Sequence, residues 1–142
     1  MTIIWVVAAD NSRARIFSMQ SKGAPLDEIE DLLHPEGRAH ARDLKSDRPG
    51  RTYDSLGKGR HAKEPHSDIK KQEEMKFADR IADFLESARL REDFDRLVLV
   101  AAPGFLGMLR KQLSAAARQL VTQEIRKNLV NKKDAEIRHY LV

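Results

Sequence analysis

Residues 3–19, IIWVVAADNSRARIFSM, decide the fold. Ile3 to Ala9 is an unbroken apolar run rich in β-branched residues, the pattern of a strand covered on both faces. Asp10, Asn11 and Ser12 then make a turn signal, because short polar side chains hydrogen-bond their own backbone. From Arg13 to Met19, Ala14 and Ile16 alternate with Arg13 and Arg15, so the chain folds back as an antiparallel strand. A hairpin here argues against a dinucleotide-binding fold, in which the first strand leads into a helix.

Working outward, Lys22 to Pro25 marks a second turn, and Leu26 to Leu33 sets Ile29, Leu32 and Leu33 among acids, a third strand expected at a sheet edge. Beyond it, a long basic loop is expected from His34 to about Pro65. From Ser67 the period changes to that of an amphipathic helix, with Phe77, Ala78, Ile81, Phe84, Leu85 and Ala88 on one stripe, Pro65 before it and Ser67 as its cap. Leu97 to Ala102 reads as a second buried strand, parallel to the first. Pro103 and Gly104 break it, and Phe105, Leu106, Leu109 and Leu113 form the inner face of the next helix. Leu120 to Ile125 reads as a strand and Asp134 to Leu141 as a short closing helix. The expected order is β-β-β-α-β-α-β-α, an α/β mixed sheet with helices packed on it, and 142 residues suit a single domain over 1–142.

Charge is unevenly placed. Residues 38–63, RAHARDLKSDRPGRTYDSLGKGRHAK, carry eight Lys or Arg against three acids, while the whole chain nets +4. Their apolar content is too thin for a core, and a cationic loop of this length points to a polyanion partner. The candidate phosphate contacts are Arg38, Arg42, Lys45, Arg48, Arg51, Lys58, Arg60, His61 and Lys63. Lys111, Arg118, Arg126, Lys127, Lys132, Lys133 and Arg138 form a second basic region that extends such a face or simply meets solvent.

Several chemistries fail on residue type and spacing. With no cysteine there is no disulfide, thiolate metal site or thiol nucleophile. Gly57-Lys58-Gly59-Arg60 lacks the upstream glycine and the following Ser or Thr of a phosphate loop. His34, His40, His61 and His66 match no zinc spacing, so no metal and no cofactor are expected. Asp10 suits a nuclease carboxylate at a strand end, yet it lies in a turn where Asp serves the backbone, and converging partner acids are missing. Ser12, Ser55 and Ser114 carry no nucleophile motif. The apolar run at the start is too short to span a membrane and lacks the basic leader of a secretory signal, so a cytoplasmic location is expected. At Gly104 and Phe105 a helix opens after a strand, leaving free amides for an anion; the alternative is that the glycine permits close helix-to-strand packing.

Ile4-Trp5-Val6-Val7-Ala8-Ala9-Asp10 with Ala14-Arg15-Ile16-Phe17, Gly50-Arg51, Arg60-His61-Ala62 before Glu64-Pro65, Phe77-Ala78, and Leu97 to Pro103 with Phe105-Leu106-Gly107 and Leu109-Arg110 resemble the bacterial host attachment protein family. The resemblance covers most of the chain and implies a ribonuclease-H-like sheet similar to the middle domain of archaeal and eukaryotic peptide-release factors. It thereby implies a link to RNA or ribosomes, alongside the attachment role in the family's name. The Gly-Gly-Gln tripeptide of those factors is absent here, and Lys127-Asn128-Leu129 stands where the family commonly has Lys-Asp-Leu. The expectation is a non-enzymatic protein that contacts RNA or the ribosome through the basic loop. A protein-interaction factor in host attachment and a hydrolase of RNA or peptidyl-tRNA are the alternatives.

Overall fold

The computed structural model describes residues 2–35 and 55–141, with backbone alone for 55–67. Five strands form one mixed sheet: β1 (Ile4–Ala9), β2 (Arg13–Met19), β3 (Asp27–Leu33), β4 (Arg96–Val100) and β5 (Val121–Ile125), in the spatial order β3-β2-β1-β4-β5. The hairpin is as expected, with Ile4 opposite Met19 and Ala9 opposite Ala14. β1 pairs in parallel with β4 on its other side, Ile4 beside Arg96 and Ala8 beside Val100. Its central place explains its unbroken apolar sequence, since Trp5 to Ala9 are all buried. β3 is an edge strand, as its acid-rich alternation predicts.

Among the described residues four helices accompany the sheet: α1 (Ser55–Leu90), α2 (Pro103–Gln112), α3 (Ala115–Gln119) and α4 (Asp134–His139). Trp5, Val7, Ile16, Leu97 and Leu99 point to one face, where Phe77, Ile81 and Leu85 of α1 and Phe105, Leu106 and Leu109 of α2 cover them. Val6, Ala8, Phe17, Val98 and Val100 point to the other face, closed more thinly by Leu129 and by Ile137 of α4. Because the strand period is two, β1, β2 and β4 each feed both cores. α1 ends where Glu92 takes a left-handed φ of 60° and Asp93 N–H donates to the Ala88 carbonyl at 2.9 Å, closing the last turn.

Two expectations need correction. The helix predicted to start at Ser67 starts at Ser55, so 55–65 is helix and not loop, and Pro65 lies inside it. Lys58, Arg60, Ala62, Lys63 and Glu64 are good helix formers, and they carry the backbone through a residue that costs one hydrogen bond. The second correction is α3, absent from the predicted order: Ser114 Oγ accepts from Ala117 N–H at 3.1 Å and starts a one-turn helix between α2 and β5.

Candidate functional site

The basic part of the chain enters the body at a well-defined base. After β3, His34 is 8 % exposed, its ring stacked on Phe77 of α1 with centroids 5.0 Å apart and planes 13° apart. His34 Nε2 lies 3.1 Å from Glu73 Oε2, and the His34 N–H donates to the Ser12 carbonyl at 2.8 Å. Arg80 Nη1 donates to the Leu33 carbonyl at 2.6 Å, with its guanidinium 5.9 Å from the Phe77 ring centre. Burial pushes the Glu73 carboxyl up, but the Lys76 charge and the hydrogen bonds from Lys76 and His34 outweigh it, so the net shift is downward. The end of β3 and the middle of α1 are therefore fastened together.

N-terminal to this base, residues 68–72 of α1 are exposed on every side, Ile69 included. The apolar stripe that holds the helix to the sheet starts only at Phe77. A helix polar on all sides is one that does not pack along that length. Of the predicted phosphate contacts, Lys58, Arg60, His61 and Lys63 belong to the backbone of this helix. Arg38, Arg42, Lys45, Arg48 and Arg51 lie outside the described residues.

The second basic region is surface. Lys111, Arg118, Arg126, Lys127, Lys132, Lys133 and Arg138 are all exposed, and Lys127 Nζ sits 5.3 Å from the centre of the Tyr140 ring. Arg110, by contrast, is held by Glu124 through two hydrogen bonds of 2.9 and 2.7 Å, which keep the Glu124 carboxyl below its ordinary range.

Asp10 serves its turn. Its Oδ1 accepts from the N–H groups of Ser12 and Arg13 at 2.9 Å each and from Ser12 Oγ at 3.2 Å. Asn128 acts similarly, with Oδ1 accepting from Val130 N–H at 3.3 Å, a role an Asp would also fill. Ser114 Oγ donates to Glu86 Oε1 at 2.8 Å, joining α1 to the cap of α3. Among the described residues no group of three or more His, Asp or Glu is placed to hold a metal ion, and no helix is long and apolar enough to cross a membrane.

At the start of α2, Ala102 is the cap residue without a side-chain hydrogen bond and Pro103 opens the helix. Gly104 is exposed and Phe105 buried. A Cβ built on Gly104 or Gly107 meets nothing within 4 Å, so close helix-to-strand packing does not account for either glycine.

Sequence reasoning missed His34, Glu73 and Arg80 as a unit. One signal was available: Leu32 packs on the α1 side of the sheet, and His34, two residues on, shares that face.

A segment of 69 residues is 32% identical to an uncharacterised protein of Rickettsia prowazekii (strain Madrid E), covering 47% of this chain and 46% of that protein, so the match spans less than half of either. The crystal structure of an archaeal translation termination factor aligns over 99% of this chain and 35% of its own, with 11% identity and a TM-score of 0.49. The family described as "Protein required for attachment to host cells" matches residues 5–141. That match extends from the first buried strand to two residues past α4, and the chain belongs to this family.

Proposed function

We propose that this chain is a single-domain, non-enzymatic RNA-binding member of the family that acts in the cytoplasm on ribosomal or transfer RNA. The carrying observation is the form of α1: a helix beginning at Ser55 whose packed stripe begins only at Phe77, with residues 68–72 exposed all round. Lys58, Arg60, His61 and Lys63 thus belong to the part of α1 ahead of its anchored half, continuous in sequence with Arg38, Arg42, Lys45, Arg48 and Arg51. Phosphate neutralisation supplies most of the affinity, and Tyr53 is the lone aromatic of residues 38–63 for base stacking. The strand order β3-β2-β1-β4-β5, antiparallel then parallel, supports the ribonuclease-H-like reading of the sheet. Gly104 and Phe105 at the start of α2 add a candidate anion contact.

The test is co-sedimentation of the full chain with ribosomes at low and high salt. Association that weakens steeply with salt, and is lost when Arg48, Arg51, Lys58 and Arg60 become Glu, supports the reading. Undiminished association of that variant removes the loop and the first turns of α1 from the interface.

A second reading, a protein-interaction factor in attachment, is favoured by the family's description. Surface labelling of intact cells separates the two: labelled protein on the outside supports direct attachment. The hydrolase alternative finds Asp10 already committed to three local hydrogen bonds.

A further inference from the structure

The thinly covered face of the sheet has an unfilled end. Leu129 and Ile137 share the core on this face with Val6, Phe17 and Val98, and the outermost row borders a cleft. That row is fixed by register: Met19 of β2 stands opposite Ile4 of β1, which stands beside Arg96 of β4. Cross-strand neighbours point to the same face, so two apolar side chains and one guanidinium line up across three strands, each step roughly 4.8 Å. Val98, two residues after Arg96, backs the row, Leu141 closes one side and Lys22 follows from the turn after β2; with a polar rim of Thr2, Gln20, Ser21, Thr122 and Gln123 they enclose a cleft of about 620 Å³. Its size falls within the roughly 300–1,000 Å³ usual for a small-molecule site, and its floor is apolar under a polar rim.

Among the described residues, the charges of this cleft take no part in the ion pairs of the fold. Arg13, Arg15, Arg89, Arg91 and Arg110 each pair with a carboxylate. Among the described residues Arg96 donates only to the backbone carbonyl of Asp95 at 3.1 Å, and the Asp95 carboxylate is turned to the Ile3 N–H at 2.8 Å. Neither Lys22 nor Arg96 has an ion-pair partner among the described residues. The floor is aliphatic, with Met19 and Val98 buried and no aromatic plane among the lining residues to stack a base.

We propose that this cleft binds a small amphiphile with an aliphatic body and a single anionic head. The body lies along Ile4, Met19, Val98 and Leu141, and the head is held by Arg96 and Lys22. A carboxylate suits the guanidinium fork, and a phosphate ester offers the same negative oxygens. The site stands on the opposite side of the sheet from α1 and does not depend on the RNA reading.

The experiment uses the full chain with labelled methyl groups, titrated separately with decanoate, decyl phosphate and decanol and followed by NMR. Decanoate is expected to move the methyl signals of Ile4, Met19, Val98 and Leu141. Arg96→Gln should weaken it about tenfold or more, as loss of a charge-assisted hydrogen bond does, and Lys22→Gln further. Decanol should bind at least about tenfold more weakly than decanoate for the same reason. Both substitutions are at exposed positions, and the methyl spectrum itself reports that the fold is kept. Tighter binding of decyl phosphate than decanoate assigns the head to a phosphate ester within the same proposal. Unmoved methyls at these four residues, equal binding of decanol, or full affinity in the double variant overturns it.

Discussion

Arg15 donates through Nη1 to the Lys132 carbonyl at 2.6 Å, a contact between residues 117 positions apart in the chain. The same nitrogen reaches the Val130 carbonyl at 2.9 Å, while Nε and Nη2 bind Glu28 at 3.2 and 2.8 Å. One guanidinium thus joins β2, the edge strand β3 and the segment that covers the thin face. Arg13 adds a second tie, bidentate to Asp31 and 3.4 Å from Asn131 Oδ1.

Arg15→Ala should therefore destabilise the protein by about 2–3 kcal/mol in urea unfolding, because backbone carbonyls lose charged donors. Arg15→Lys should recover less than half of that loss, since an ammonium cannot span the fork. A loss below about 0.5 kcal/mol for Arg15→Ala would place the pair among ordinary surface contacts.

Glu86 gives a pH signature. The hydrogen bond from Arg89, and after it the one from Ser114, hold its carboxyl at about 2 against an ordinary 4.5. A depressed folded value means that the contribution is complete above 4.5 and fades as pH falls toward 2. The stability difference between the native chain and Glu86→Gln should be flat above 4.5 and shrink between 4.5 and 2. A difference that grows on acidification contradicts this assignment.

The base of α1 can be tested by a double-mutant cycle. Phe77 is fully buried, so Phe77→Ala should cost about 3–5 kcal/mol. His34→Ala should cost about 1–3 kcal/mol. Their stacked contact predicts a coupling of about 0.5–3 kcal/mol, and strict additivity would show that the rings do not support one another.

Gly104→Ala and Gly107→Ala should each stabilise the chain by about 0.5–1 kcal/mol, because both positions are helical and open. Thermal unfolding checks it directly. If either variant also loses association with ribosomes, the glycine surface is a contact and not a gap in the packing.

Legibility in the sequence followed the range of the forces. The hairpin, β4 and α2 were readable because apolar periodicity and the breaks at Asp10 and Pro103 are local. α3 escaped because one turn leaves too few residues for a period to show. The start of α1 was misplaced because Pro65 and Ser67 form a plausible stop and cap, whereas the helix passes through them. His34 looked like one more polar residue at the head of a basic stretch, and only the partner helix reveals it as buried. Arg13 and Arg15 looked like the wet side of a strand, since the carbonyls they hold lie more than a hundred residues away. The position of Asp10 in its turn, by contrast, was decided by its immediate neighbours.

All five strands are complete at Ile125, yet the core that holds Val6, Ala8, Val98 and Val100 also needs Leu129 and Ile137. A sheet with all five strands paired but without residues 126–139 therefore turns part of its apolar face to water. A chain cut after Ile125 should keep its strands and still aggregate, because the segment carrying Leu129 and Ile137 is what makes the sheet safe in water.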